Sequence, residues 1–166
     1  MAADHTHIME YSASEIRKLL QELFPHRRLV LSQFTFFNQV GVARPTGETF
    51  RRRRRCYKLL DVLPIACVLA LKEEGIPLKN IDRVPSLIQE FASRIFQIGR
   101  GCRISGVGSE VQLLFPGDSS LSLPLDLLLG GESDGLLFWG FDVGLLADQL
   151  VEIATRAIGA EELRAA

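Results

Sequence analysis

The chain has 166 residues, 47% of them hydrophobic and 23% charged, and a formal net charge of −1. That apolar share is enough to bury a core, which excludes a wholly disordered chain. The longest apolar run, residues 59–71, contains Asp61 and Pro64 and is too short to span a bilayer. The opening MAADHTHIME lacks the basic-then-apolar layout of a secretory leader, so we expect a cytoplasmic protein with no membrane partner. Cys56, Cys67 and Cys102 cannot all pair within the chain and form no CxxC, so reduced thiols are expected.

The near-zero net charge hides an asymmetry. Residues 1–82 carry 13 Lys+Arg against 9 Asp+Glu, whereas residues 83–166 carry 6 against 11. Within the first half the cations concentrate between residues 44 and 58: Arg44, Arg51, Arg52, Arg53, Arg54, Arg55 and Lys58, opposed only by Glu48. A basic half joined to an acidic half points to a polyanion-binding module attached to something else.

In chain order, residues 1–10 read as a disordered tail. Ser12 or Ser14 caps a helix over residues 13–24. Glu15 stands three residues after Ser12, as in a capping box, and Ile16, Leu19, Leu20 and Leu23 follow at helical spacing. Pro25 to Arg28 breaks that helix. Ser32 is placed to cap a second one, with Phe34, Phe37 and Val40 on one face and Gly41 as its stop. Residues 44–55 contain Pro45, Gly47 and Thr49, show no helical period, and read as an exposed hairpin, a wing.

Asp61 is the expected N-cap of a third helix, which puts Pro64 in its first turn. Ile65, Val68, Leu69 and Leu71 supply most of its apolar surface, and Gly75 stops it. Pro77 to Ile81 reads as a short turn or helix. Pro85 opens another helix, with Leu87, Ile88, Phe91 and Ile95 inward. After Gly99 the pattern turns to strands at 102–107, 110–115 and 120–125, a β-meander with a turn at Pro116 to Asp118, and then a further strand at 136–139. Asp142 is the expected cap of a last helix over 143–158. Its residues Val143, Leu146, Leu150, Ile153 and Ala157 step by the spacing of a packing seam. Val143, Leu146, Leu150 and Ile153 are read as a dimerisation face; packing on the meander is the alternative.

Helix, break, helix, basic hairpin, helix is an order suited to duplex binding. The second helix enters a major groove while arginines beside it meet phosphate oxygens two at a time. Three stretches carry a resemblance to a known family. They are Gly41-Val42-Ala43-Arg44-Pro45, Arg55-Cys56-Tyr57, and Leu71 to Ile81 (LKEEGIPLKNI). Over about residues 11–97 the chain resembles the MerR family of bacterial winged helix-turn-helix transcriptional regulators. The family pattern is a Gly-Leu-x-x-Pro step, a wing ending in Arg-x-Tyr, and a helix ending in Leu-x-x-x-Gly-x-x-Leu-x-x-Ile. The resemblance implies that the second helix reads bases, that wing residues such as Arg55 and Tyr57 contact phosphate, and that a homodimer sits on a two-fold operator. The chain departs from the pattern at Thr35, where the family usually has arginine, and at Phe36 and Phe37, which lack the hydroxyls of the usual tyrosine pair. Its first connection, residues 22–30, is also longer. The resemblance implies a third helix that begins a few residues before Asp61, which puts Pro64 where it bends the helix.

Each candidate has a plainer alternative. The 51–55 run would otherwise be a solvated loop, but five adjacent cations repel one another and favour a partner. Ser32, Gln33, Thr35 and Asn38 form the polar face of the second helix and are read as base-contacting, with solvation the alternative. Tyr57 is equally a phosphate contact or a core residue. His5 and His7 lack a nearby thiolate, and the cysteines are read as structural, so no metal and no cofactor are expected. The glycine-rich stretches match neither a P-loop nor a dinucleotide fingerprint, and no Ser/His/Asp or Cys/His grouping occurs, so an enzyme is not expected.

These readings combine into an α+β chain. An N-terminal winged helix-turn-helix (11–97) is followed by a small acidic module (98–160) made of a β-meander and a C-terminal helix, for dimerisation, sensing or docking, and by a tail (161–166). The expected function is DNA-binding transcriptional regulation by a homodimer on double-stranded DNA, with a protein partner able to dock on the C-terminal module. The alternative is a winged helix repurposed as a protein-interaction or architectural adaptor with weak, non-specific DNA binding.

Overall fold

Ser12 sets the first helix. Its hydroxyl accepts the Glu15 N–H at 3.3 Å, while the Glu15 carboxylate accepts the Ser12 N–H at 2.6 Å. Both halves of the expected capping box are therefore made. A computed structural model of the chain describes residues 9–30, 32–33, 56–107, 110–118 and 138–165. In order, its elements are β1 (Tyr11–Ser12), α1 (Ala13–Leu23), β2 (Cys56–Tyr57), α2 (Leu59–Glu73), a 3-10 turn (Leu78–Asn80), α3 (Val84–Ile98), β3 (Arg103–Val107), β4 (Glu110–Leu114), β5 (Phe138–Asp142) and α4 (Val143–Ala165). The α+β class expected from the sequence is the class observed. Residues 1–8 of the expected 1–10 tail, the body of the second helix, the wing and the strand at 120–125 lie outside the described residues.

α2 is the central element. Leu59, Val62, Leu63, Ile65, Ala66, Cys67, Val68, Leu69 and Leu71 are all buried. A helix apolar on nearly every side must be covered on nearly every side. Its start differs from expectation. The N-cap is Lys58, and Asp61 stands three residues inside, its carboxylate reaching back to accept the Lys58 N–H at 2.8 Å. Asp61 thus satisfies an orphan donor as the third helical residue, where the helix dipole also favours its charge. Gln89 on α3 donates to its other oxygen at 3.4 Å. Pro64 consequently lies inside the helix, leaving the Leu60 carbonyl without its usual donor. The expected glycine stop is observed: Gly75 has φ +77°, Ile76 N–H donates to Leu71 O at 3.0 Å and Gly75 N–H to Lys72 O at 3.1 Å. These two bonds are the Schellman closure.

α3 packs along α2, and α4 lies against α1, α2 and α3. The strand order β4-β3-β5 is antiparallel throughout. The first two strands of the expected meander pair as a hairpin, its third strand lies outside the described residues, and β5, the further strand, lies on the other edge of β3. The Trp139 ring occupies the space a side chain at its β3 partner Gly106 would need, and Asp142 at the end of β5 reaches the turn that opens β3. There Asp142 accepts the Gly101 N–H at 3.0 Å and the Leu145 N–H at 2.8 Å, so it caps α4 as expected. Asp148 accepts the Arg100 N–H at 3.0 Å, and Gly144 donates to Cys102 O at 3.1 Å. A side chain at Gly144 would collide with the Gly99 carbonyl. The sheet is held to α3 by Phe115, which meets Phe91 at 5.9 Å between centroids and carries the Arg94 guanidinium 3.8 Å above its ring.

The core runs unbroken from Tyr11 to Ala154, so it crosses the boundary expected at residues 97–98. Val143, Leu146, Leu150 and Ile153 belong to it, none more than 7% exposed. The seam expected to face a twin is filled by the chain's own helices, because α2 needs that cover. Leu150→Ala should therefore cost about 2–5 kcal/mol in urea denaturation. Replacing both Leu146 and Leu150 with Glu should unfold the chain; a folded monomer from that double variant would put the seam on the surface.

Candidate nucleic-acid interface

Residues 34–55, which include the segment richest in arginine, are flanked by two fixed points in the fold. Downstream, Cys56 pairs with Ser12 and Tyr57 with Tyr11 in the β1–β2 ladder. Tyr57 is 2% exposed and Tyr11 7%. The strand that follows the 51–55 run is thereby tied to the strand that precedes α1. Tyr57 is corrected from a phosphate contact to a core residue, since its ring is enclosed and cannot reach a duplex without leaving the core. Burial, and secondarily the Glu15 carboxylate, push the Tyr11 phenol up from its ordinary value, so it stays neutral.

Upstream, the chain leaves α1 through a turn clamped by Gln21. Its amide nitrogen donates to Phe24 O at 3.2 Å and to Arg27 O, and its carbonyl accepts the Leu29 N–H at 3.2 Å. Phe24 and Leu29 are buried at either end of the turn. Arg27 pairs with Glu73 at the end of α2, Nε to Oε1 at 3.2 Å. The turn is therefore fixed to α1 and to α2 together.

Helical structure is present at Ser32 and Gln33. The Gln33 amide oxygen accepts the Val30 N–H at 3.0 Å, and Gln33 N–H donates to Val30 O at 3.1 Å. This is the same back-reach that Glu15 and Asp61 make, so the capping position is Val30 and Ser32 is already helical. Ser32 is exposed and Gln33 half-buried. Thr35, Asn38, Arg44, Arg51, Arg52, Arg53, Arg54 and Arg55 lie outside the described residues. Lys18, one turn before Gln21 on α1, and Arg28 in the clamped turn are exposed cations with no ion pair among the described residues. Spacing alone does not mark Gln21, because a glutamine on a helix surface reads as solvated until the turn folds over it.

Cys67 and Cys102 are fully buried and Cys56 is half-exposed. Burial pushes the Cys67 thiol far up, and burial followed by the Asp142 carboxylate raises Cys102. Both are held as thiols and are poor nucleophiles. Among the described residues no three His, Cys, Asp or Glu side chains are grouped to hold a metal, and no helix is long and apolar enough to cross a membrane. Compared with protein-family models and with curated proteins, the chain gives no match.

Gln21→Ala would strip three backbone groups of their partner. We expect a loss of about 1–3 kcal/mol in chemical denaturation. Unchanged stability would mean that the turn holds itself without the clamp.

Proposed function

We propose that the chain is a MerR-like DNA-binding transcriptional regulator acting on double-stranded DNA. The observation that supports this most is the β1–β2 pair. It ties the end of the arginine run to the start of α1, giving five successive cations a fixed attachment at one end of the helix whose other end leads through the clamped turn into the second helix. The helix beginning near Val30 presents Ser32, Gln33, Thr35 and Asn38 to base edges. Arg44 and Arg51 to Arg55 lie along the flanking phosphates, where guanidinium forks meet oxygens two at a time. Tyr57 acts as the buried anchor of the run. Two copies related by a two-fold axis place their second helices in successive major grooves. Because the α4 seam is consumed inside the chain, such a pair uses another surface, and the acidic C-terminal half is the side open to a protein partner.

Phosphate contacts release condensed counterions, so affinity falls with salt. Fluorescence anisotropy on labelled duplexes, with salt varied, tests the proposal. Serine in place of all five residues from Arg51 to Arg55 should leave the fold intact and flatten the log-log salt slope by up to about 4.5. An unchanged slope would remove the run from the interface. Footprints on genomic fragments distinguish regulator from adaptor: protection of a palindrome supports the regulator, and uniform or absent binding supports the adaptor.

A further inference from the structure

A cleft of about 600 Å³ opens between the C-terminal end of α2 and strand β5. Its size falls within the range of small-molecule sites. Leu71, Ile76, Trp139 and Phe141 make its apolar lining, and Glu73 and Glu74 contribute its charge. Among the described residues lining it there is no lysine, arginine or histidine. Trp139 and Phe141 alternate with Gly140 along β5 and so share one face of the sheet. Two aromatic rings beside two carboxylates favour a cation that carries its own flat apolar body.

The position of the cleft strengthens the choice of charge. It lies at the C-terminus of α2, the negative end of the helix dipole. Glu73 meets Arg27 at 3.2 Å from outside the cleft, showing that a guanidinium already finds this end of the helix favourable. Glu74 is exposed and makes no ion pair among the described residues. An anion would meet the Glu74 carboxylate and a negative helix end, with the nearby Arg27 already engaged by Glu73.

We propose that this cleft binds a small organic cation, an ammonium or guanidinium group on a planar apolar body. The cation lies against Glu74 and the body against Trp139 and Phe141. The site bridges α2 and the C-terminal sheet, and it stands independently of duplex binding.

Trp139 is the only tryptophan in the chain, so its emission reports on the cleft directly. The experiment titrates the full chain with benzyltrimethylammonium and, separately, with phenylacetate, an aryl anion of similar size. A saturable change in Trp139 emission is expected with the cation, at least about fivefold tighter than with the anion. Glu74→Gln should weaken cation binding about fivefold, and Glu74→Lys should reverse the order of the two probes. Lysine suits a helix C-terminus, and circular dichroism checks that both variants fold. Equal response to both probes, no saturable response, or a Glu74→Lys titration identical to the parent's would overturn the assignment.

Discussion

One constraint governs this molecule: α2 is apolar around nearly its whole circumference and must be enclosed. Its fifteen residues include a single buried charge, Asp61, retained because it closes the helix's own first turn. Among the described residues α3 and α4 supply most of the enclosure, and α1 packs on α4. Burying a large aliphatic side chain contributes roughly 1.5–3 kcal/mol, so leaving the α2 surface uncovered would be costly. The N-terminal and C-terminal halves, opposite in charge, are consequently joined by one core.

That enclosure explains the polar devices at its edges. The turn between α3 and β3 passes over the start of α4 at the near contact of Gly99 with Gly144, and Asp142 and Asp148 receive its N–H groups. Gln21 performs the corresponding task between α1 and the second helix. Both devices use a side chain to satisfy backbone donors or acceptors that a tight turn leaves without secondary-structure partners. The chain on either side of residues 34–55 is held by the same logic, upstream through Gln21 and Leu29 and downstream through Tyr57.

Local signals were legible before the fold was known. The Ser12–Glu15 box, the Gly75 stop and the Asp142 cap each depend on residues within a few positions of one another, so their spacing carries them. What depended on distant neighbours was not legible. Asp61 looks like an N-cap because nothing local shows that Lys58, which has no side-chain acceptor, takes that position. The 143–153 seam has the spacing of a coiled-coil face, but spacing does not say whether the opposing surface belongs to a twin or to α1, α2 and α3. Tyr57 was balanced between packing and contact until its pairing with Tyr11 decided it. The pairing of β5 with β3 was not read from the sequence, because Gly106, which reads as an ordinary strand glycine, gives no local sign that it faces Trp139. The chemistry of the candidate interface was plain in the arginine run, whereas the clamp that positions it, Gln21, was not.

The central claim is that one core spans both halves, and Trp139 offers the most direct test. Its emission follows the C-terminal sheet, while far-UV circular dichroism is dominated by the helices. Urea unfolding followed by both signals should give coincident transitions with one midpoint and one slope, as a single cooperative unit requires. Loss of the Trp139 signal at a lower urea concentration than the helical signal would contradict it, and would make the C-terminal half a separate module.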